Sequence, residues 1–288
     1  MMKIFNLFRV HQWVKNLFVF LPAFFAGRLL ETTFFTESVI AFFLFSFTAS
    51  IIYIINDYKD IEKDKLHPEK KHRPLASGAI SKHTALLLLI PLVALVVIGA
   101  YSFLNIQAIV VLAAYFLMNL AYTFYLKNIP IVDVTIIALG FVFRVLFGGF
   151  VAVILVSKWA LLLTFSLALI LALGKRRGEL VLMPSNTRKA LQGYTVEFLN
   201  IALTIAISIT LVSYIMYAVS PEVIKNFGSD YLYVTTLFVL MGLLRYLQQS
   251  VVFNKTESPT KFLYKDHFVQ LMVFLWVVSF FVIIYLNK

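Results

Sequence analysis

Apolar runs of roughly membrane length recur from one end of the chain to the other. A bilayer-crossing helix needs about 20 mostly apolar residues. About nine stretches approach that pattern: 13–30, 36–56, 84–103, 106–126, 131–153, 159–174, 196–219, 231–249 and 267–286. Only Leu104 and Asn105 separate the third stretch from the fourth, so these two are expected to form a tight hairpin. No soluble-sized insert or low-complexity linker interrupts the series. The pattern predicts an all-α, polytopic membrane helical bundle of about nine transmembrane helices, organised as a single domain over residues 1–288.

Composition strengthens that picture. Hydrophobic residues make up 61% of the 288 and charged residues 14%, against about a quarter charged in a soluble domain. The mean hydropathy is +0.90. The absence of cysteine excludes disulfides, thiolate metal sites and a cysteine nucleophile. A net charge of +11 would suggest nucleic acid in a soluble protein. With no basic tail and no nucleic-acid motif, it reads instead as a rim facing anionic headgroups and anionic substrates. Lys3 and Arg9 ahead of Leu17–Ala26 have the layout of a signal peptide. The polar group His11, Gln12, Trp13, Lys15 and Asn16, with further spans behind it, argues instead for a working segment.

The cations also orient the chain. With the N-terminus inside, only Arg28, Lys158, Lys225 and Lys288 of the 25 Lys and Arg fall outside, and Arg144 lies within a span. This positive-inside bias predicts a cell (inner or plasma) membrane protein with its N-terminus and polar loops cytoplasmic.

The densest chemistry lies where the second span leaves the membrane: Asn56-Asp57-Tyr-Lys-Asp60-Ile-Glu-Lys-Asp64. On a continuing helix, Asn56, Asp60, Asp64 and Asp57 fall at about 0°, 40°, 80° and 100° around the axis. Glu62 falls away from that face. Like charges at this spacing destabilise a helix, and a cation relieves them. Magnesium suits: it takes hard oxygen ligands and is commonly held by one or two carboxylates plus substrate phosphates. The competing reading is a solvated helix end.

Cations follow. His67, Lys70, Lys71, His72 and Arg73 lie in the next loop. Pro74 restricts the backbone of Arg73, and arginine suits bidentate phosphate contact. Asp133 and Arg144 lie three turns apart on one face, about 16 Å along the axis, too far to pair. An arginine inside a span needs a partner or a wet cavity, so Arg144 calls for another anion, and a bound phosphate fits. Lys127, after Tyr122, sits alone in a short turn, and Lys175-Arg176-Arg177-Gly178-Glu179 forms another basic loop, followed by Arg188 and Lys189.

Asn56-Asp57-x-x-Asp60-x-x-x-Asp64, in a basic-rimmed chain of this many spans, resembles the UbiA superfamily of intramembrane prenyltransferases. A narrower branch is also similar: the polyprenyl-phosphate phosphoribosyltransferases of the decaprenyl-phosphate type. That similarity is carried by Gln12-Trp13-Val-Lys15-Asn16, by His67-Pro68 through Arg73-Pro74, by Leu120-Ala-Tyr122 through Leu126-Lys127, and by Arg144 with Gly148-Gly149. Gly174-Lys175-Arg176, Glu179-Leu180 and Tyr194-Thr195 complete it. The loop at 175–179 lacks the paired aspartates of isoprenyl-diphosphate enzymes and carries cations instead, as suits a donor with an extra phosphate.

The resemblance implies transfer of 5-phosphoribose from phosphoribosyl pyrophosphate (PRPP) to a polyprenyl phosphate. Asn56, Asp57, Asp60 and Asp64 would hold Mg2+. Lys15, Lys70, Arg73, Tyr122, Lys127, Asp133, Arg144, Lys175, Arg176 and Glu179 would contact substrate. Two other readings compete: prenyl transfer from an isoprenyl diphosphate to an aromatic or other acceptor, and a transporter or lipid-binding protein. No internal repeat or midplane site favours the transporter. The expected partners are the two substrates and the membrane, with no nucleic acid, and the sequence is compatible with a homo-oligomer.

Overall fold

The computed structural model describes residues 2–66, 69–182, 189–256, 262 and 264–286. His67, Arg188, Lys261 and Lys288 lie outside the described residues. All regular elements among the described residues are helical. Eight are long and apolar enough to cross a membrane: α1 (Thr32–Lys59), α2 (Lys82–Phe103), α3 (Ile106–Phe124), α4 (Val132–Val151), α5 (Lys158–Leu182), α6 (Val196–Ala218), α7 (Asp230–Val251) and α8 (His267–Leu286).

The remaining expected span, 13–30, is built differently. Val10–Phe20 forms a 3-10 helix and Leu21–Phe25 a short α-helix. A 3-10 helix rises about 2 Å per residue and an α-helix about 1.5 Å. The two pieces together are therefore roughly 30 Å long, close to the thickness of a bilayer's hydrocarbon core. The segment keeps a membrane-spanning length without an α-helical core.

Local chemistry sets the helix ends. Ser81, Asn105, Thr195 and Asp266 each accept a backbone N–H of the helix that follows, which satisfies donors the first turn leaves free. The α2–α3 hairpin closes on Leu104 and Asn105 as expected. Within α1, the Thr48 and Ser50 hydroxyls donate to the carbonyls one turn back, so polar side chains sit in an apolar helix at little cost. On α2, Ile90 and Ile98 are 65% and 64% exposed; such a surface belongs against lipid.

Backbone contacts divide the chain into two compact units: Met1–Leu126 with Gly140–Val156, and Lys127–Leu139 with Ser157–Lys288. In the first, α1 packs against α2, α3 and the 3-10 segment, around a core that includes Phe45, Leu112, Tyr115 and Phe147. In the second, α5 packs on α6, and α7 on α6 and α8, around Ile170, Leu199, Leu203 and Tyr246.

One glycine decides the packing of the first unit. A Cβ at Gly148 of α4 would stand 2.0 Å from the carbonyl oxygen of Val19, so only glycine lets α4 lie directly against the 3-10 segment. The obstacle is backbone, which yields poorly. Gly148→Ala is expected to destabilise the protein by at least about 2 kcal/mol, read as a lower midpoint of thermal unfolding in detergent; an unchanged midpoint would contradict the packing.

Candidate active site

The acidic run does not continue as one helix. α1 ends at Lys59, Asp60 terminates it, and a new turn runs over Ile61–Lys65. The expectation of an unbroken helix is corrected at that point. The i,i+4 spacing survives the break, because Asp60 N–H bonds Asn56 O and Asp64 N–H bonds Asp60 O. The acids therefore still gather. Asp57 and Asp64 are 2% and 4% exposed, and Asn56 and Asp60 are half-buried beside them. Glu62 faces away and pairs with Lys65.

Two arginines cover the buried acids. Arg73 Nη1 donates to Asp57 Oδ1 at 3.0 Å and to Asp64 Oδ2 at 2.6 Å. Arg9 also donates to Asp57 Oδ1, and lies 4.9 Å from the Tyr53 ring centroid. Arg9 adopts φ 50°, a left-handed conformation that costs a non-glycine residue roughly 1–3 kcal/mol and tends to mark functional sites. Sequence reasoning placed Arg9 only among the N-terminal charges. Its partner lies 48 residues away, and no local pattern reports such a pairing.

The donor set fits magnesium. One nitrogen of Arg73 bridges Asp57 and Asp64 where a cation between them would, and Asp57 Oδ2 is buried without a hydrogen bond. Among the described residues no three acids or histidines converge on one point. Magnesium does not require three, since two carboxylates with water and phosphate suffice.

A second polar group lies deeper in the same unit. Arg144 is 5% exposed. Its Nε donates to Asn16 Oδ1 at 2.8 Å, its Nη1 to Gly140 O at 2.6 Å, and its Nη2 to Tyr115 Oη at 3.3 Å. Asn16 is held in turn by its amide donating to Ser46 Oγ. All these partners are neutral. Lys15, one residue before Asn16, is half-buried and has no hydrogen bond or ion pair among the described residues. Of the other first-unit candidates, Lys70 is half-buried in its loop and Tyr122 is half-buried near the end of α3.

In the second unit the expected candidates bind one another. Arg176 is 1% exposed; its Nε donates to Asp133 Oδ2 at 2.6 Å and its Nη1 to Glu179 Oε2 at 2.6 Å. Tyr194 Oη donates to Asp133 Oδ1 at 2.7 Å and accepts the N–H of Ile131. Burial and the Asp133 hydrogen bond push the phenol pKa of Tyr194 upward, so it keeps its proton. Arg177 turns inward to the carbonyls of Ser250 and Val251 at the end of α7 and to Asn200 and Asn254. Of the basic triplet, Lys175 keeps the most exposed side chain, 3.8 Å from Glu179. Lys127 is buried in its turn. Of the two triplet cations read from the sequence as phosphate contacts, Lys175 and Arg176, Arg176 thus holds protein groups, as does its neighbour Arg177. The pairing of Arg176 with Asp133 spans 43 residues and is invisible to a local reading.

Comparison with known proteins gives a consistent picture. A decaprenyl-phosphate phosphoribosyltransferase of Mycolicibacterium smegmatis is 31% identical over 93% of this chain and 88% of its own length. The protein of the same name from Corynebacterium glutamicum is 29% identical, over 96% and 85%. Among solved structures, a UbiA homolog from Archaeoglobus fulgidus bound to DMAPP and Mg2+ superposes with a TM-score of 0.74 at 20% identity, covering 98% of this chain and 99% of that one; at that identity it speaks for the fold. The model of the UbiA prenyltransferase family matches residues 17–278. The chain is a multi-pass membrane protein that belongs to the UbiA prenyltransferase family.

Proposed function

We propose that the protein transfers 5-phosphoribose from PRPP to a polyprenyl phosphate and releases diphosphate. The observation that carries this reading is the presence, in one unit, of a buried acid pair suited to magnesium and a cation group with no carboxylate partner among the described residues. The names of the relatives point the same way. Asp57 and Asp64, with Asn56 and Asp60 beside them, would hold the metal. Magnesium bound there would neutralise charge on the departing diphosphate. Arg73 and Arg9, already at the acids, are placed to take phosphate oxygens.

An oxygen of the lipid phosphate attacks the anomeric carbon. The bond from that carbon to diphosphate breaks, and its electron pair leaves with the diphosphate. The sugar is oxocarbenium-like between these events, as in glycosyl transfer generally. The nucleophile is already an anion, so no general base is needed. The active loops lie on the cytoplasmic side of the cell membrane, following the distribution of lysine and arginine. One domain spanning residues 1–288 carries the activity. In the second unit, Asp133, Arg176 and Glu179 act as scaffold, while Lys127 and Lys175 are its candidates for phosphate.

Purified protein incubated with labelled PRPP and a polyprenyl phosphate is expected to yield labelled lipid only with Mg2+. Turnover of an isoprenyl diphosphate without labelled lipid would overturn the assignment in favour of prenyl transfer.

A further inference from the structure

The sequence reading leaves open which cation meets which phosphate, and the surroundings of Arg144 separate them. A guanidinium carries five N–H donors. Arg144 uses three on Asn16, Gly140 and Tyr115, leaving one on each terminal nitrogen with no acceptor among the described residues. Tyr115 Oη accepts from Arg144, and its own proton has no acceptor there either. The Lys15 ammonium has no partner among the described residues. What converges is a set of donors and positive charges with no acid, the complement of a phosphate monoester.

The walls distinguish two phosphates. The guanidinium carbon lies 5.0, 5.4 and 5.1 Å from the ring centroids of Phe45, Tyr115 and Phe141, and Phe141 packs on Phe18. A ribose against such walls would bury hydroxyls without partners, at a cost. An isoprenoid chain would gain from the same contact. The order of charges also suits the reaction. Arg9 touches Asp57, and Lys15 lies six residues, two turns, along the 3-10 segment that Arg9 begins, so the segment that helps hold an anion at Lys15 and Arg144 also reaches the acids.

We propose that Lys15, Tyr115 and Arg144, braced by Asn16, form the seat of the acceptor lipid's phosphate, distinct from the acid cluster that takes the donor's diphosphate. Calling the ligand an acceptor rests on the proposed function; the phosphate seat itself does not. Arg144→Met removes the charge at nearly constant volume, and Lys15→Met, at a half-buried position, gives the same reading if the first variant fails to fold.

Binding is measured without donor, by calorimetric titration of the full-length protein in detergent, using geranylgeranyl phosphate, geranylgeraniol and ribose 5-phosphate. The wild type is expected to bind the lipid phosphate at least about tenfold tighter than either of the others. Both variants are expected to lose that advantage. In turnover they should raise the acceptor KM at least about tenfold and leave the donor KM within about twofold. A loss of ribose 5-phosphate binding alone would give the seat to the donor and overturn the proposal, as would unchanged binding of all three. If the wild type transfers no phosphoribose yet binds lipid phosphate through Arg144, the seat stands and the proposed reaction falls.

Discussion

Replacing Asp57 by Asn is expected to lower kcat by at least about a thousandfold while the protein stays folded. The substitution keeps the shape of the side chain and removes its charge. Asp57 Oδ1 carries contacts from both Arg9 and Arg73, and its other oxygen is buried with no hydrogen bond. The amide would offer a donor where two arginines already donate, and it would bind magnesium poorly. A metal at developing negative charge supplies several kcal/mol, and about 4 kcal/mol corresponds to a thousandfold in rate. Asp64→Asn should behave alike because Arg73 ties the two acids together. The double variant should be little worse than either single, as expected of groups acting as a unit. The measurement is the initial rate of labelled-lipid formation as Mg2+ is raised, with size-exclusion elution as the control for folding. A rate within threefold of wild type would remove these acids from the metal site.

Asp133→Ala is expected to cost stability instead, by about 3–5 kcal/mol. The side chain is fully buried, accepts from Arg176 and Tyr194, and sits two residues after Ile131, itself held at φ 67°. A β-branched residue in that region is strained, and Tyr194 Oη fixes it by accepting its N–H. Alanine would take from the Arg176 charge its Asp133 contact and leave Tyr194 with no acceptor on that side. Replacing the buried pair together, as Asp133→Leu with Arg176→Met, should recover most of the loss, since a buried ion pair often contributes little over apolar residues of similar volume. Thermal unfolding in detergent reads both results. A single variant as stable as wild type, with an altered KM for the donor, would return Asp133 to the substrate-contact role read from the sequence.

The extent to which the sequence disclosed this molecule follows from the range of each interaction. The long helices were legible because lipid demands unbroken apolar length. The acid group was legible because its members share one stretch of backbone. The 3-10 geometry of Val10–Phe20 was not, since its composition suits an α-helix equally well. Nor was the split role of the basic triplet: Arg176 and Arg177 read as part of one basic loop until Asp133, Glu179 and the end of α7 are seen around them. For Arg144 the sequence pointed to another anion as company. Its company proved to be neutral dipoles and rings, which solvate a charge without cancelling it.

The contact between Asn16 and Arg144 joins residues 128 positions apart, and Gly148 locks the same two segments together. Chains are made from the N-terminus at about 5–20 residues per second. The segment that carries Lys15 and Asn16 therefore leaves the ribosome roughly 6–25 s before α4 exists to receive it. During biogenesis this first segment waits with the Asn16 side-chain oxygen unmatched and the Lys15 charge unneutralised, which favours a holding place at the headgroup surface over early insertion. Closure of the anion seat then becomes a late, post-insertion event, and the maturation of the enzyme is timed by the arrival of its fourth long helix.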